Sequence, residues 1–319
     1  MALSCSPEEL LRGVKAASEE VITEEELVQL LEEKRVRAYI GFEPSNVIHL
    51  GALVVCEPII QLMRAGFSGI FLMADVHGWL NHKGELDVLK ETAAHNIELL
   101  KKITRARGVE DSVVSYVLGS DYQLKEGYIL ELFKLAKLVT ASEARKSMDT
   151  ISKKDVMHRV SSEIYALMQC IDIAFLKVNV AVGGMDQRKI HVMAREYLRK
   201  LGHQKPVAIH TPIILGLDGH AKMSKSLENA IFLNDSEEDV SRKIYKAYCP
   251  EGVEEGNPVT QIVKHIIFPW TGGFEVAGNL YRSYSEFSAD WVGRRVGAKA
   301  LKDAVTESII SVLRKINSS

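Results

Sequence analysis

Two short stretches of the chain carry side chains suited to phosphate chemistry. His49-Leu50-Gly51 sets an imidazole and a glycine at the head of an apolar run, Ala52–Ala65. A helix N-terminus presents free N–H groups and a positive dipole end to phosphate, and glycine lets the backbone approach a ligand closely. Gly41, just after Ile40, has the same property as Gly51. His49 beside such a terminus can donate to a phosphate oxygen and stabilise charge that develops there. Read alone, it is more readily a helix cap. The second stretch, Lys222-Met223-Ser224-Lys225-Ser226, places two ammonium groups and two hydroxyls within five residues, after Gly216 and Gly219. Two cations three positions apart suit a triphosphate, because phosphoryl and nucleotidyl transfer ask for charge stabilisation and little covalent help. A solvated charged loop is the alternative.

The elements that position these groups follow from hydrophobic period and turn chemistry. Thr23 and Glu26 form a capping box ahead of Leu27, Leu30 and Leu31, which predicts an amphipathic helix over 24–35. Strand Ala38–Phe42, an irregular loop through EPSNVIHLG and helix Ala52–Ala65 come next. The alternation continues with strand Ile70–Ala74, helix Glu85–Ile103, strand Ser112–Leu118 and helix Glu126–Leu138. Strands alternating with helices imply parallel strands and right-handed crossovers, hence an α/β fold with a doubly wound sheet. Helix follows helix from about 125 to 176, which reads as an insertion carrying the basic residues Arg145, Lys146, Lys153, Lys154 and Arg159. The sheet resumes with strand Val178–Val182, helix Gln187–Lys200 and strand Val207–Thr211. In such a sheet His49 and the lysine loop would converge on the carboxyl edge. The expected division is 1–234, an α/β domain containing the loop 215–226, and 235–319, mainly helical with an irregular Gly-rich stretch at Thr271–Asn279.

Composition excludes several classes of protein. With 319 residues, 46% apolar and 26% charged, the chain is neither mainly disordered nor a membrane span, since its best apolar runs are short or broken by Glu57 and Asp75. The first ten residues carry acids and no basic-then-apolar signal, so a cytoplasmic location is expected. Cys5, Cys56, Cys170 and Cys249 are far apart and suggest reduced thiols with no metal site. A net charge of −2 conceals an asymmetry: Met1–Arg37 has nine Glu against five Lys or Arg, and Trp291–Ser319 has six Lys or Arg against two acids. A local basic excess can hold a polyanion, or be simply a solvated helix face.

The His49-Leu50-Gly51 and Lys222-Met223-Ser224-Lys225-Ser226 segments resemble the HIGH and KMSKS signatures of class I aminoacyl-tRNA synthetases, in that order. AYIGFEPS (38–45), LMADVHGWLN (72–81), GSDYQL (119–124), LMQCIDI (167–173), VAVGGMDQRKIH (180–191), LGLDG (215–219) and AYCPEGVEEGNP (247–258) are more narrowly similar to the archaeal and eukaryotic type of tyrosyl-tRNA synthetase. The resemblance covers about residues 15–262. It implies a Rossmann-like catalytic domain and that Tyr39 and Asp172 grip the substrate phenol. A hydroxyl and a carboxylate suit a phenolic O–H and would be left unpaired around phenylalanine. Tyr165, Gln169 and Gln187 match the ammonium site, and Leu72, His77, Gln123 and Leu176 match other pocket positions. Tyr165, Gln169 and Asp172 fall at helical spacing of four and three, so one face can present all three; the alternative is a buried polar face that holds the insertion together. Gly41, His49, Gly51, Gly184, Asp186, Lys222, Met223, Ser224 and Lys225 match the ATP site, with Gly184 and Asp186 at the ribose and His49, Lys222 and Lys225 on the reacting phosphates. Arg188 and Lys189 match basic residues near the tRNA acceptor end.

The sequence also departs from the family. Ala52 stands at the second His of the HIGH signature, Asn46 at a common glycine and Ala300 near an expected anticodon-reading acid; Gly272, Gly273 and Phe274 are the nearest match to a Gly-Gly-aromatic loop. For tRNA, the basic residues Arg294, Arg295, Lys299 and Lys302 and the aromatic residues Trp270 and Phe274 are the expected contacts of the C-terminal region. The resulting expectation is an enzyme that joins tyrosine to tRNA(Tyr) through tyrosyl-adenylate. It would use ATP with Mg2+ as substrate and no permanently bound cofactor, as a homodimer through the helical insertion. The rivals are a tryptophan-specific relative, a small-molecule nucleotidyltransferase and a catalytically idle RNA-binding relative.

Overall fold

The computed structural model describes residues 6–149, 159–223 and 228–319. They form two compact units: Met1–Asn46, Pro58–Leu100 and Gly108–Pro212 in the first, and Val47–Glu57, Lys101–Arg107 and Ile213–Ser319 in the second. The expected division at 234 and 235 differs from this one. The second unit begins at Ile213 and also takes in the stretch that carries His49.

The first unit is built on a six-stranded sheet. Its chain opens with helix α1 (Pro7–Ala16), strand β1 (Glu20–Ile22), helix α2 (Glu24–Glu32) and strand β2 (Arg37–Phe42). Ser6 caps α1 in a reciprocal box with Glu9, and the Thr23 side chain caps α2. Helix α3 (Gly51–Arg64) leads to β3 (Ser68–Met73), α4 (Asp75–Leu80), α5 (Leu86–Ala106) and β4 (Val114–Leu118). Helices α6 (Glu126–Ala136), α7 (Ala141–Met148) and α8 (Val160–Phe175) then follow one another with no strand between them among the described residues. β5 (Val180–Gly184), α9 (Arg188–Tyr197) and β6 (Val207–Thr211) complete the unit.

The strand order is β1-β6-β5-β2-β3-β4. All neighbours from β6 to β4 run parallel, and β1 lies antiparallel on β6 with Glu20 opposite His210. Neither α1 nor β1 is expected from the sequence. β1 has three half-buried residues and no period to read, and only its pairing with β6 makes it a strand. β5 and β6 are buried at every position, which explains their continuous small and β-branched composition. The chain winds outward from β2 through β3 to β4, and from β5 to β6 on the other side. The carboxyl ends of β2 and β5 therefore flank the switch point where ligands of open α/β sheets bind. A core of Tyr39, Ile70, Leu72, Tyr128, Leu132, Ala166, Ile171, Ile190 and Leu198 joins sheet and helices beneath it.

The second unit contains α10 (Glu237–Lys246), α11 (Pro258–Ile262), α12 (Phe268–Thr271), strands β7 (Phe274–Val276) and β8 (Asn279–Tyr281), α13 (Tyr284–Val292) and α14 (Ala298–Asn317). Asn257 caps α11 through the N–H groups of Val259 and Thr260, and Pro258 occupies its first turn. Leu301, Val305, Ile309 and Val312 make the buried stripe of α14. The stretch expected to be irregular, Thr271–Asn279, holds most of a hairpin. Ala277 and Gly278 both take positive φ between β7 and β8, the geometry of a two-residue primed turn. Its strands have three residues each, too few for an alternation to show in the sequence.

Candidate active site

In the first unit the buried side chains around Asp172 form one polar network. Asp172 sits on α8 and is wholly buried. Its Oδ1 accepts from Tyr122 Oη at 2.7 Å, Gln123 Nε2 at 2.9 Å and Tyr128 Oη at 2.9 Å. Among the described residues its Oδ2 has no hydrogen-bond partner, and His77 Nε2, also without one, lies 3.5 Å away. Burial pushes the Asp172 carboxyl upward, and His77, Gln123, Tyr122 and Tyr128 pull against it. Burial and the Asp172 charge together hold the Tyr39 hydroxyl well above its usual range, so it stays a donor. Tyr39 projects from β2 and is almost fully buried. A buried carboxylate oxygen with an open lone pair, in the same cluster as a protonated hydroxyl, is what a phenolic O–H requires.

A second polar chain runs from α8 toward the end of β5. Gln169 Nε2 donates to Gln187 Oε1 at 3.1 Å, and Gln187 Nε2 donates to Asp186 Oδ1 at 3.2 Å. Tyr165 Oη donates to Glu43 Oε1 at 2.8 Å, and the Asn81 amide holds both Glu43 oxygens at 3.1 Å. Acceptors on Glu43 and Gln169, the latter with a buried unpaired Oε1, suit an ammonium donor. Gly184 is buried at the end of β5 and hands the chain to the turn Met185–Gln187. Gly183 is the sterically constrained member of the pair, since a Cβ there would meet Gln187 Cγ at 3.0 Å. At Gly41 a Cβ would meet Leu72 Cδ2 at 3.9 Å, an ordinary contact, so the described residues leave room for a side chain there. Leu72 is buried and Leu176 half-buried, both against the core. Arg188 and Lys189 reach outward from α9 and have partners of their own: Glu20 holds Arg188 through two nitrogens, and Asp149 lies 3.4 Å from Lys189.

In the second unit His49 is fixed by its own loop. Leu50 N–H donates to Ile231 at 2.9 Å and Leu233 N–H to Ile48 at 3.2 Å, so the HIGH-like stretch is zipped to the strand-like segment after the lysine loop. His49 Nδ1 accepts from Gly51 N–H at 3.1 Å, which leaves the ring proton on Nε2 as a donor. Burial, with the nearby Lys222 charge second, lowers the His49 pKa from the usual 6.5 to about 4, so the ring is neutral near pH 7. A Cβ on Gly51 would sit 2.8 Å from His49 Cε1, so glycine is needed for this ring position. Lys222 is exposed, and its backbone bridges Leu215 across a tight hairpin. Met223 is buried with its N–H donated to Ile214, and so anchors that hairpin. Ser224, Lys225 and Ser226 lie outside the described residues.

The C-terminal expectations need correction. Trp270 is only 9% exposed, with the Arg107 guanidinium 5.0 Å from its ring centroid, and Phe274 is 1% exposed beneath Phe268 and Phe287. Neither presents a face on which a base could stack. Both belong to the core, where aromatic residues are most often found. The cations fare differently: Arg294, Arg295 and Lys299 are exposed, Arg295 beside Asp290, and Lys302 is half-exposed with its ammonium on Tyr245 O. Tyr122, Tyr128 and Glu43 join these polar networks and are not among the candidates named from the sequence. Tyr122 adjoins Gln123 and Glu43 lies in AYIGFEPS, so the available signal was position inside a recognised segment.

Comparison with known proteins agrees with this geometry. Residues 31–314 match the family described as tRNA synthetases class I (W and Y). The chain is 45% identical to tyrosine–tRNA ligase of Archaeoglobus fulgidus over 96% of its own length and 95% of that protein, and 42% identical to tyrosine–tRNA ligase of Methanopyrus kandleri over 97% of each. The crystal structure of A. fulgidus tyrosyl-tRNA synthetase complexed with L-tyrosine superposes with a TM-score of 0.90 at 44% identity, covering 98% of this chain and 99% of that one. A tryptophanyl-tRNA synthetase from Encephalitozoon cuniculi, at 13% identity and a TM-score of 0.72, shares the fold. A doubly wound sheet with a buried polar network around Asp172, a HIGH-like stretch paired to residues 231–233 and the family match together define a class I aminoacyl-tRNA synthetase. The chain belongs to the tryptophan and tyrosine (W and Y) family of these enzymes.

Proposed function

We propose that the chain is a tyrosine–tRNA ligase. The carrying observation is Asp172: three donors occupy Oδ1, and buried Oδ2 is left open for a phenolic O–H. Tyrosine and ATP, the latter as its magnesium complex, are the first substrates. The tyrosine carboxylate attacks the α-phosphorus of ATP, the bond from that phosphorus to the oxygen bridging to the β-phosphate breaks, and pyrophosphate leaves as tyrosyl-adenylate forms. The tyrosyl group then passes to the 3′ end of tRNA(Tyr), and AMP leaves. No protein nucleophile takes part; the chain positions substrates and stabilises charge. Tyr39 and Asp172 select the side chain, and Tyr165, Gln169, Gln187 and Glu43 hold the ammonium. Gly184 and Asp186 serve the ribose. His49, through Nε2–H, and the ammonium groups of Lys222 and Lys225 offset charge on the phosphates.

The reading extends to assembly and location. Leu130 and Phe133 on α6 are 54% and 61% exposed, and Val160 at the start of α8 is 70% exposed. Apolar side chains left in water on one helical insertion support a symmetric dimer through it. Among the described residues no helix is long and apolar enough to cross a membrane. We place the enzyme in the cytoplasm, where its tRNA is found. Arg188, Lys189, Arg294, Arg295, Lys299 and Lys302 are the proposed tRNA contacts.

ATP–pyrophosphate exchange tests the reading directly. Exchange should depend on tyrosine, with tryptophan and phenylalanine poor substitutes. Exchange driven by tryptophan, or none with any amino acid, would replace this function with one of its rivals.

A further inference from the structure

Resting on the reading of Asp172 as the phenol acceptor, we infer that Tyr122 is a specificity-positioning residue, whose hydroxyl commits Oδ1 of Asp172 and so reserves Oδ2 for the substrate. A carboxylate has two equivalent oxygens and can rotate or take a proton on either one. Discrimination between tyrosine and phenylalanine requires one oxygen to be unprotonated and correctly aimed before substrate arrives.

The geometry assigns this task to the groups on Oδ1. Tyr122 makes the shortest of the three bonds, 2.7 Å. Tyr128 has one hydroxyl proton and two acceptors at 2.9 Å, Asp172 Oδ1 and Met168 O, so its donation is divided. Gln123 donates through Nε2, and Gly119 makes room for it: a Cβ there would lie 2.4 Å from Gln123 Oε1. Among the described residues Tyr122 Oη has Asp172 as its acceptor and no other, so its proton goes to Asp172. Since all the partners of Oδ1 are donors, a proton on that oxygen would displace one of them. The Tyr122 ring is held independently of its hydroxyl, stacked on Phe175 at 5.2 Å and edge-on to Tyr128 at 5.5 Å. Phenylalanine at 122 would thus keep the packing and lose only the donor.

A residue that merely fills the core and one that sets the acceptor differ in what Tyr122→Phe does. Steady-state pyrophosphate exchange on the full-length enzyme should show KM for tyrosine raised about tenfold or more, the amount expected for one hydrogen bond to a charged group. kcat and KM for ATP should stay within about twofold, and the preference for tyrosine over phenylalanine in kcat/KM should fall by a similar tenfold. Tyr128→Phe should move the same two quantities in the same direction by less, and serves as the test if the first variant does not fold. Asp172→Asn, measured in parallel, separates the two levels of the inference. If Asp172→Asn destroys the preference while Tyr122→Phe leaves KM and the preference unchanged, Asp172 keeps its role and the positioning role of Tyr122 is overturned. If Asp172→Asn itself activates tyrosine normally, the phenol reading fails and this inference fails with it.

Discussion

His49 shows how much one hydrogen bond determines. Because Gly51 N–H occupies Nδ1, the imidazole carries its proton on Nε2, and burial with Lys222 nearby keeps it neutral. A neutral donor suits a phosphate whose charge is still developing, since it strengthens as the pyrophosphate departs. Gly51→Ala should push the ring from this position and slow adenylate formation by about tenfold or more, given that loss of a donor to a developing oxyanion costs about 10²–10³. Tyrosine affinity should be little changed, because Asp172 and Tyr39 are untouched. Single-turnover kinetics distinguish the outcomes, and weakened tyrosine binding with a normal rate would contradict the assignment. Lys222→Ala should show the same pattern, a slower chemical step with tyrosine affinity retained.

At the scale of elements, α6 carries two faces with different work. Tyr128, Leu132 and Leu135 are buried under the sheet side of the first unit, whereas Leu130 and Phe133 are exposed. Charges at the exposed positions should cost the fold little, because substitutions on a solvent face rarely exceed about 0.5 kcal/mol. They should cost a dimer much, since an uncompensated carboxylate would be buried twice across a symmetric interface. Leu130→Asp with Phe133→Asp should therefore give a folded monomer by light scattering; an unchanged dimer would place the interface elsewhere. The segment from α13 into α14 carries the other test. Changing Arg294, Arg295, Lys299 and Lys302 to Ala should weaken tRNA charging and flatten its salt dependence, while tyrosine-dependent pyrophosphate exchange continues. Unchanged salt dependence would return these cations to the role of a solvated surface.

For the whole molecule, buried histidines set the response to acid. Burial lowers the pKa of His49 and His265 from the usual 6.5 to about 4, and that of His191 to about 3. In the unfolded chain each binds a proton as pH falls through 6.5, and in the folded chain none does until far lower pH. The unfolded state therefore holds more protons in this window, and stability declines as pH drops from about 6.5 toward 4. At pH 5 each histidine withdraws about 2 kcal/mol, an order-of-magnitude figure. Asp172, with its carboxyl raised by burial, acts in the opposite sense, and His210, lowered by burial, acts with the other histidines. Denaturant titrations at pH 7 and pH 5 should show a clearly lower midpoint at pH 5, and coincident curves would refute this account.

What the sequence by itself determined was local. The spacing of Tyr165, Gln169 and Asp172 put them on one helix face, the alternation of strands and helices set the sheet, and His49-Leu50-Gly51 announced a helix start. Each of these rests on residues within a turn or two of one another, where the helical and strand periods are legible. The tertiary structure decided everything that depends on partners far along the chain. Asp172 and Tyr122 are 50 residues apart, and only the fold tells which carboxylate oxygen is occupied and which remains open. β1 is a strand because β6 lies beside it, and Trp270 is buried with Arg107, 163 positions earlier, against its ring. An aromatic side chain has the same composition whether it stacks on a base or fills a core. Its role is fixed by what surrounds it, and that surrounding exists only once the chain has folded.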